Sequence, residues 1–205
     1  MTTEEYVSMK MSPVPDVLNH LERETWQKLI NPRMCSGAYQ GRLLSAISQM
    51  IGPNLILELG TYTGYSAICL LEGLSEQGRM VTMELNTELK WMHEKYLNDP
   101  RLDVKYGPAL ELLEQMDISK VDLVFVDADK VNYMNYLRHL ETKLPKGAWV
   151  LVDNVLWSGK VLSPAMPGDI DTQVLQELND YLASSASWQT IILPIRDGLT
   201  IARRN

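Results

Sequence analysis

Several side chains in the second half of the chain stand where chemistry is most easily done. Val124-Phe125-Val126-Asp127-Ala128-Asp129-Lys130 puts Asp127 at the end of an apolar run, and Val150-Leu151-Val152-Asp153-Asn154 puts Asp153 and Asn154 at the end of another. If the two runs are neighbouring strands of a parallel sheet, three oxygen donors converge at its carboxyl edge, where open α/β sheets bind ligands. Oxygen-only donors favour a hard cation, Mg2+ first, then Mn2+ or Ca2+. Either aspartate alone would serve equally well as a helix cap; the paired placement favours a metal. Lys130 follows Asp127 by three positions. Beside a divalent cation its ammonium form is disfavoured, which would make it a usable general base. Trp157, just beyond Asn154, offers an apolar wall to an aromatic substrate.

A second constellation lies upstream, in Ile56-Leu57-Glu58-Leu59-Gly60-Thr61-Tyr62-Thr63-Gly64-Tyr65-Ser66. Glycines between a buried strand and a helix allow a sharp turn and close approach of a ligand. Glu84 ends the next apolar run, 24 residues beyond Gly60, where an acid can hold a ribose diol. The ligand expected is therefore adenosine-containing. A dinucleotide site would need a glycine where Tyr62 stands, and Glu58 would repel a diphosphate. A carboxylate suits a cationic ligand, such as the amino group or sulfonium of S-adenosylmethionine.

These positions must be held by alternating elements. Apolar runs at 55–59, 80–84, 102–106, 121–126 and 148–152 read as strands. Helical patterns follow at about 64–74, 87–97, 108–116, 131–143 and 171–184, which predicts a parallel sheet covered on both faces. Two helices precede the first strand, at 13–30 and 37–51, closed by Asn31-Pro32 and Gly52-Pro53. The end breaks the pattern: strands at 188–193 and 199–202 are joined by Arg196-Asp197-Gly198. So tight a connection requires an antiparallel pair. No repeat, low-complexity segment or linker interrupts the chain, so one domain over 1–205 is expected, with residues 1–52 contributing to a cover over the substrate and cofactor. His20, His93 and His139 fall within predicted helices, away from strand ends, and read as surface or core residues.

Composition sets the outer limits. The 205 residues are 45% hydrophobic and 22% charged, which excludes a disordered chain. With 19 Lys and Arg against 26 Asp and Glu, the net charge of −7 argues against nucleic acid. Cys35 and Cys69 lack zinc-like spacing and read as buried free thiols. No apolar stretch is long enough to span a membrane, and Met-Thr-Thr-Glu-Glu-Tyr-Val-Ser-Met-Lys is unlike a signal peptide. A cytoplasmic location is expected.

Taken together, the motifs resemble the cation-dependent O-methyltransferases that include the catechol and caffeoyl-CoA enzymes. The likeness runs from about residue 12 to the end. It is carried by Met34-Cys35-Ser36-Gly37-Ala38-Tyr39-Gln40-Gly41, the turn from Glu58 to Ser66, Gly107-Pro108-Ala109, Phe125 to Lys130, Asp153-Asn154-Val155-Leu156-Trp157-Ser158-Gly159, and Leu193 to Leu199. The resemblance implies a three-layer αβα, Rossmann-like class I methyltransferase fold, its seven strands ordered 3-2-1-4-5-7-6 with strand seven antiparallel. It implies S-adenosylmethionine and a divalent cation as cofactors, a small catechol-like phenol as acceptor, and a homodimer. By the same resemblance Glu84 holds the ribose, and Glu58, Gly60 and Ser66 line the methionine portion. Thr61, Ser36, Asp129 and Ala109 are further cofactor positions, with Ala109 near the adenine. Asp127, Asp153 and Asn154 are the metal ligands, Lys130 the general base and Trp157 a substrate contact.

The basic residues that hold the CoA tail in plant members are not evident, so a CoA thioester is not the expected acceptor. Ser158 stands where some plant members carry a substrate-touching asparagine. Two other readings remain at this stage: a cofactor-binding module without activity, and a D-x-D phosphatase using Asp127 and Asp129.

Overall fold

The computed structural model describes residues 3–205; Met1 and Thr2, at the start of the expected domain, lie outside the described residues. The strands are β1 (Leu55–Leu59), β2 (Arg79–Glu84), β3 (Leu102–Tyr106), β4 (Leu123–Val126), β5 (Trp149–Asp153), β6 (Trp188–Leu193) and β7 (Leu199–Arg204). They form one sheet in the order β3-β2-β1-β4-β5-β7-β6, with β7 antiparallel to both β5 and β6. The reversal is the one the tight turn at Arg196-Asp197-Gly198 predicts, and the order is the one the family resemblance implies.

The helices are α1 (Thr3–Lys10), α2 (Asp16–Lys28), α3 (Gly37–Ile51), α4 (Tyr65–Leu71), α5 (Lys90–Tyr96), α6 (Ala109–Glu114), α7 (Tyr133–Lys143) and α8 (Ile170–Ser184). Strand periodicity divides their packing. Leu57, Val124 and Val150 point to the face covered by Leu137 and Leu140 of α7 and Leu175 and Leu178 of α8. Ile56, Phe125 and Leu151 point to the other face, against Leu18 and Leu21 of α2, Leu44 of α3 and Leu70 of α4. Side chains alternate along a strand, so Glu58 follows Ile56 to the second face.

Local chemistry shifts several boundaries. The helix expected over 13–30 begins only at Asp16, because Pro15 holds an extended ψ of 141° as its N-cap and disfavours helical geometry at the residue before it. The helices expected from 87 and 131 each open with a tighter 3-10 turn, at Thr87–Leu89 and Lys130–Asn132. In the first, the Asn86 side chain accepts from the Glu88 N–H, as N-capping asparagines do. The acidic opening segment, given no element in the sequence reading, forms α1. Cys35 and Cys69 are buried and free. Among the described residues no helix is long and apolar enough to cross a membrane.

The turn after β1 depends on one glycine. Gly60 has φ +98°, and a Cβ there would lie 2.0 Å from the Asp127 carbonyl oxygen. The turns after β1 and β4 are thus in backbone contact, reinforced by Asp127 N–H donating to Leu59 O at 2.8 Å. Gly60→Ala must separate them or strain φ, and is expected to cost at least about 2 kcal/mol. That corresponds to a melting point roughly 4–8 °C lower, readable by calorimetry; an unchanged melting point would refute the contact.

Candidate active site

Strand register assembles the site. Leu59 pairs with Val126 and Val126 with Val152, so the next residues, Gly60, Asp127 and Asp153, stand abreast at the carboxyl edge. By alternation, Asp127 and Asp153 share the face of Phe125 and Leu151, the face that also takes Glu58. A cavity of about 1130 Å³ opens over this edge, lined among others by Gly60, Glu84, Ala109, Asp127, Asp129, Lys130, Asp153, Asn154 and Trp157. A small adjoining recess is lined by Ser36, Gly60, Thr61, Thr63, Tyr65 and Ser66. Of the site residues expected from sequence, only Glu58 lines neither space.

Glu58 lies beneath the recess, fully buried. Its Oε2 accepts from the Thr82 hydroxyl at 2.5 Å, and Thr82 is in turn 2.6 Å from the Thr61 hydroxyl. Its Oε1 has no hydrogen-bond partner, nor have Thr63 Oγ1 and the Tyr65 hydroxyl. Burial pushes the Glu58 carboxyl up to about 8; the hydroxyls of Ser66 and Thr82 oppose the shift, and the charges of Asp127 and Glu84 add to it. Buried polar groups are rarely left unpaired. Thr63 and Tyr65 line the recess, and the Glu58 carboxyl adjoins it behind Ser66 and Thr82.

Glu84 is 8% exposed, and both its oxygens already accept backbone N–H groups, from Tyr62 and from Asn86, each at 2.7 Å. Each carboxylate oxygen retains a second acceptor position for a diol. The turn is braced from behind by His93, which the sequence presents only as a surface or core residue. Its Nε2 lies 2.7 Å from the Tyr62 carbonyl oxygen and its Nδ1 lies 2.8 Å from the Tyr106 hydroxyl. A carbonyl only accepts, so Nε2 carries a proton and donates it to the Tyr62 oxygen. His93 lies four residues after Leu89 on the buried stripe of its helix, a spacing visible in the sequence.

Asp153 is 4% exposed. Burial, then the negative charge of Asp127, pushes its carboxyl up to about 7, against donors on Gln40 and the Asn154 N–H. Asn154 has φ +63°, which asparagine tolerates better than most residues, and this turn keeps it at the cavity wall. Among the described residues no three His, Cys, Asp or Glu side chains converge as a ready metal cluster. The candidate set is two carboxylates and one amide. Two abutting acids and a neutral oxygen, open to a cavity, fit a hard divalent cation.

Lys130 Nζ is held by Asp127 Oδ1 at 3.1 Å, Ala128 O at 3.2 Å and the Tyr133 hydroxyl at 2.6 Å. It sits 4.7 Å from the Tyr133 ring centre and 5.9 Å from that of Trp157. Tyr133 is fully enclosed, and its hydroxyl also reaches Asp153 O at 3.3 Å. Asp129 is fixed by Tyr136 and Asn132, each at 2.5 Å. Tyr133 and Tyr136 begin the i, i+3, i+4 stripe continued by Leu137 and were legible as core, not as supports for the site.

The chain as a whole is similar to known proteins. The family model described as O-methyltransferase matches residues 7–205. Caffeoyl-CoA O-methyltransferase from Medicago sativa is 32% identical, over 83% of this chain and 75% of its own. The O-methyltransferase from Bacillus cereus, solved in complex with SAH, superposes with a TM-score of 0.88 at 28% identity, covering 98% of this chain and 96% of that one. TomG from Streptomyces achromogenes, solved with SAM, gives 0.89 at 26% identity, covering both chains in full.

Glu58 sets a test for the unliganded protein. Its carboxyl ionises near 4.5 when free and about 8 when folded. Between those values the native state holds a proton that the unfolded chain has released, so this group's contribution to stability falls as pH rises. The limiting slope is about 1.4 kcal/mol per pH unit. Glu58→Gln removes that share, so its stability relative to wild type should improve steadily from pH 5 to pH 8 in urea melts. Parallel curves for the two proteins would exclude the buried carboxyl as a source of the slope.

Proposed function

Since the chain belongs to the O-methyltransferase family, we propose that it transfers the methyl group of S-adenosylmethionine to a hydroxyl of a small vicinal-diol phenol with the help of a divalent cation. The observation that carries this reading is the alignment of Asp127 and Asp153 at adjoining strand ends beside the Gly60 turn. Glu84 would hold the ribose of the cofactor and Ala109 would lie near its adenine. Gly60, Ser66 and the unpartnered oxygen of Glu58 would receive its methionine end, with Ser36, Thr61 and Asp129 as further contacts. Asp127, Asp153 and Asn154 would hold the cation.

When bound, the sulfonium supplies an electrophilic methyl and the cation lowers the cost of a phenolate oxygen. A phenol has a pKa near 10 by analogy with tyrosine, so a proton acceptor is needed at neutral pH. Lys130 is the basic side chain beside both aspartates and would take that proton once neutral. Trp157 would flank the acceptor ring. Fixing donor and acceptor over one sheet edge is itself a large part of the rate.

The cavity lining favours a small acceptor over a CoA thioester. Five acids (Glu84, Asp127, Asp129, Asp153, Asp197) face three cations, Arg33, Lys130 and Arg196. Lys130 and Arg196 are already committed to hydrogen bonds. The D-x-D phosphatase reading loses its footing, because the motif follows the fourth strand and Asp129 is tied to Tyr136 and Asn132. A homodimer and a cytoplasmic location complete the proposal, on the strength of the family resemblance and the free thiols.

The test is methyl transfer to a panel of vicinal diols. EDTA should abolish turnover and Mg2+ restore it. Lys130→Ala should lower kcat by about 10²-fold or more, with cofactor affinity changed less than about threefold. Full turnover by Lys130→Ala would remove its role as base. Cofactor binding without transfer to any diol would favour a module that has lost its chemistry.

A further inference from the structure

Asp153 is held from two sides. Its Oδ1 accepts the Asn154 N–H at 2.9 Å, a contact local to its own turn. Its Oδ2 accepts Gln40 Nε2 at 2.7 Å, across 113 residues of sequence. Gln40 lies on α3 and is 1% exposed. Its Oε1 accepts from Arg196 Nη1 at 3.2 Å. The same guanidinium donates to the backbone oxygens of Ser36 and Arg33, in the segment whose Arg33 and Met34 line the cavity.

The polarity of this relay is fixed by chemistry. A guanidinium can only donate, and an ionised carboxylate can only accept. An amide between them satisfies both only with its oxygen toward Arg196 and its NH2 toward Asp153. Arg196 therefore sets which way Gln40 faces. A neutral donor at this place has a second consequence. An amide orients the carboxylate and leaves its charge intact. Each Asp153 oxygen uses one acceptor position in these bonds and keeps another for a ligand.

We infer that Gln40 is a positioning residue for Asp153, aimed by Arg196, so that the segment over the cavity and the carboxylate at its floor are set by one relay. The inference rests on the proposed role of Asp153 as a metal ligand. Partners that orient a ligand's free side commonly govern metal affinity by 10–100-fold.

The experiment titrates the purified full-length protein with Mn2+ alone, followed by electron paramagnetic resonance or calorimetry. Gln40→Met keeps the length of the side chain and removes the donor; its Kd for Mn2+ should rise at least about tenfold, with S-adenosylmethionine affinity within about twofold. Arg196 is exposed, so Arg196→Ala should fold even if Gln40→Met does not, and should weaken Mn2+ by about threefold or more. The double variant should bind Mn2+ no more weakly than Gln40→Met. Full additivity would overturn the aiming role of Arg196. If Asp153→Ala loses Mn2+ while Gln40→Met and Arg196→Ala keep wild-type affinity, the relay is refuted and the metal site stands. If wild type fails to bind Mn2+, or Asp153→Ala binds it as well as wild type, both fall together.

Discussion

Two carboxylates side by side in a largely buried place are the constraint from which the rest of the site follows. Parallel pairing of β4 with β5 leaves no choice in the matter, because Val126 opposite Val152 makes Asp127 the neighbour of Asp153. Alternation then turns both toward the face of α2, α3 and α4. Burial first, and then the neighbouring charge of Asp127, push the Asp153 carboxyl up. Every neighbour that makes the pair tolerable is polar and specific: Lys130 on Asp127, Gln40 and the Asn154 N–H on Asp153. Replacing buried charged groups by apolar ones is often neutral or stabilising, so the pair is not explained by stability alone.

Backbone strain follows the same boundary. Among the described residues, the non-glycine positions with positive φ are Tyr62, Asn154, Trp157, Ser158 and Arg196. Four of them line the cavity, and Ser158 is anchored beside it through Asp197. Each left-handed residue costs about 1–3 kcal/mol and persists only where its surroundings over-determine it. Here the surroundings are hydrogen bonds from distant elements. Tyr62 donates its hydroxyl to Asn31 O at 3.0 Å, and Arg196 holds Arg33 and Ser36. The segment from Asn31 to Ser36 is therefore fastened at two points, by the turn after β1 and by the turn between β6 and β7.

How much of this was legible follows from what kind of signal each feature leaves. The sheet and its reversed strand were readable because alternation of apolar runs with helical stripes is local, and because Arg196-Asp197-Gly198 is too short for a crossover. Asp127, Asp153 and Asn154 were readable because strand ends are where parallel sheets expose side chains. Gln40 was not singled out, although it sits four residues before Leu44 on the buried stripe of α3. A lone polar residue on such a stripe says that it has a partner, but the partner is 113 residues away. Arg196 looked like part of a turn and nothing more. Boundaries shifted for local reasons, as at Pro15, where a fixed φ overrides the periodicity of the helix it precedes.

The placement of Glu58 shows why residue type and position do not suffice to fix a role. From the sequence it adjoins the glycine turn and would line the ligand space. In the fold it is one residue inside the strand, so its carboxyl reaches the recess only from beneath, through the ring of Thr61, Thr82 and Ser66. There it is pressed toward its neutral form by burial and by two other acids. A neutral ligand would leave it so. A cation arriving at its unpartnered oxygen would favour the ionised carboxylate, and the energy gained would include relief from an unpaired buried atom. A cation reaching that oxygen would be favoured over an anion, and so a sulfonium donor with an ammonium group over a diphosphate.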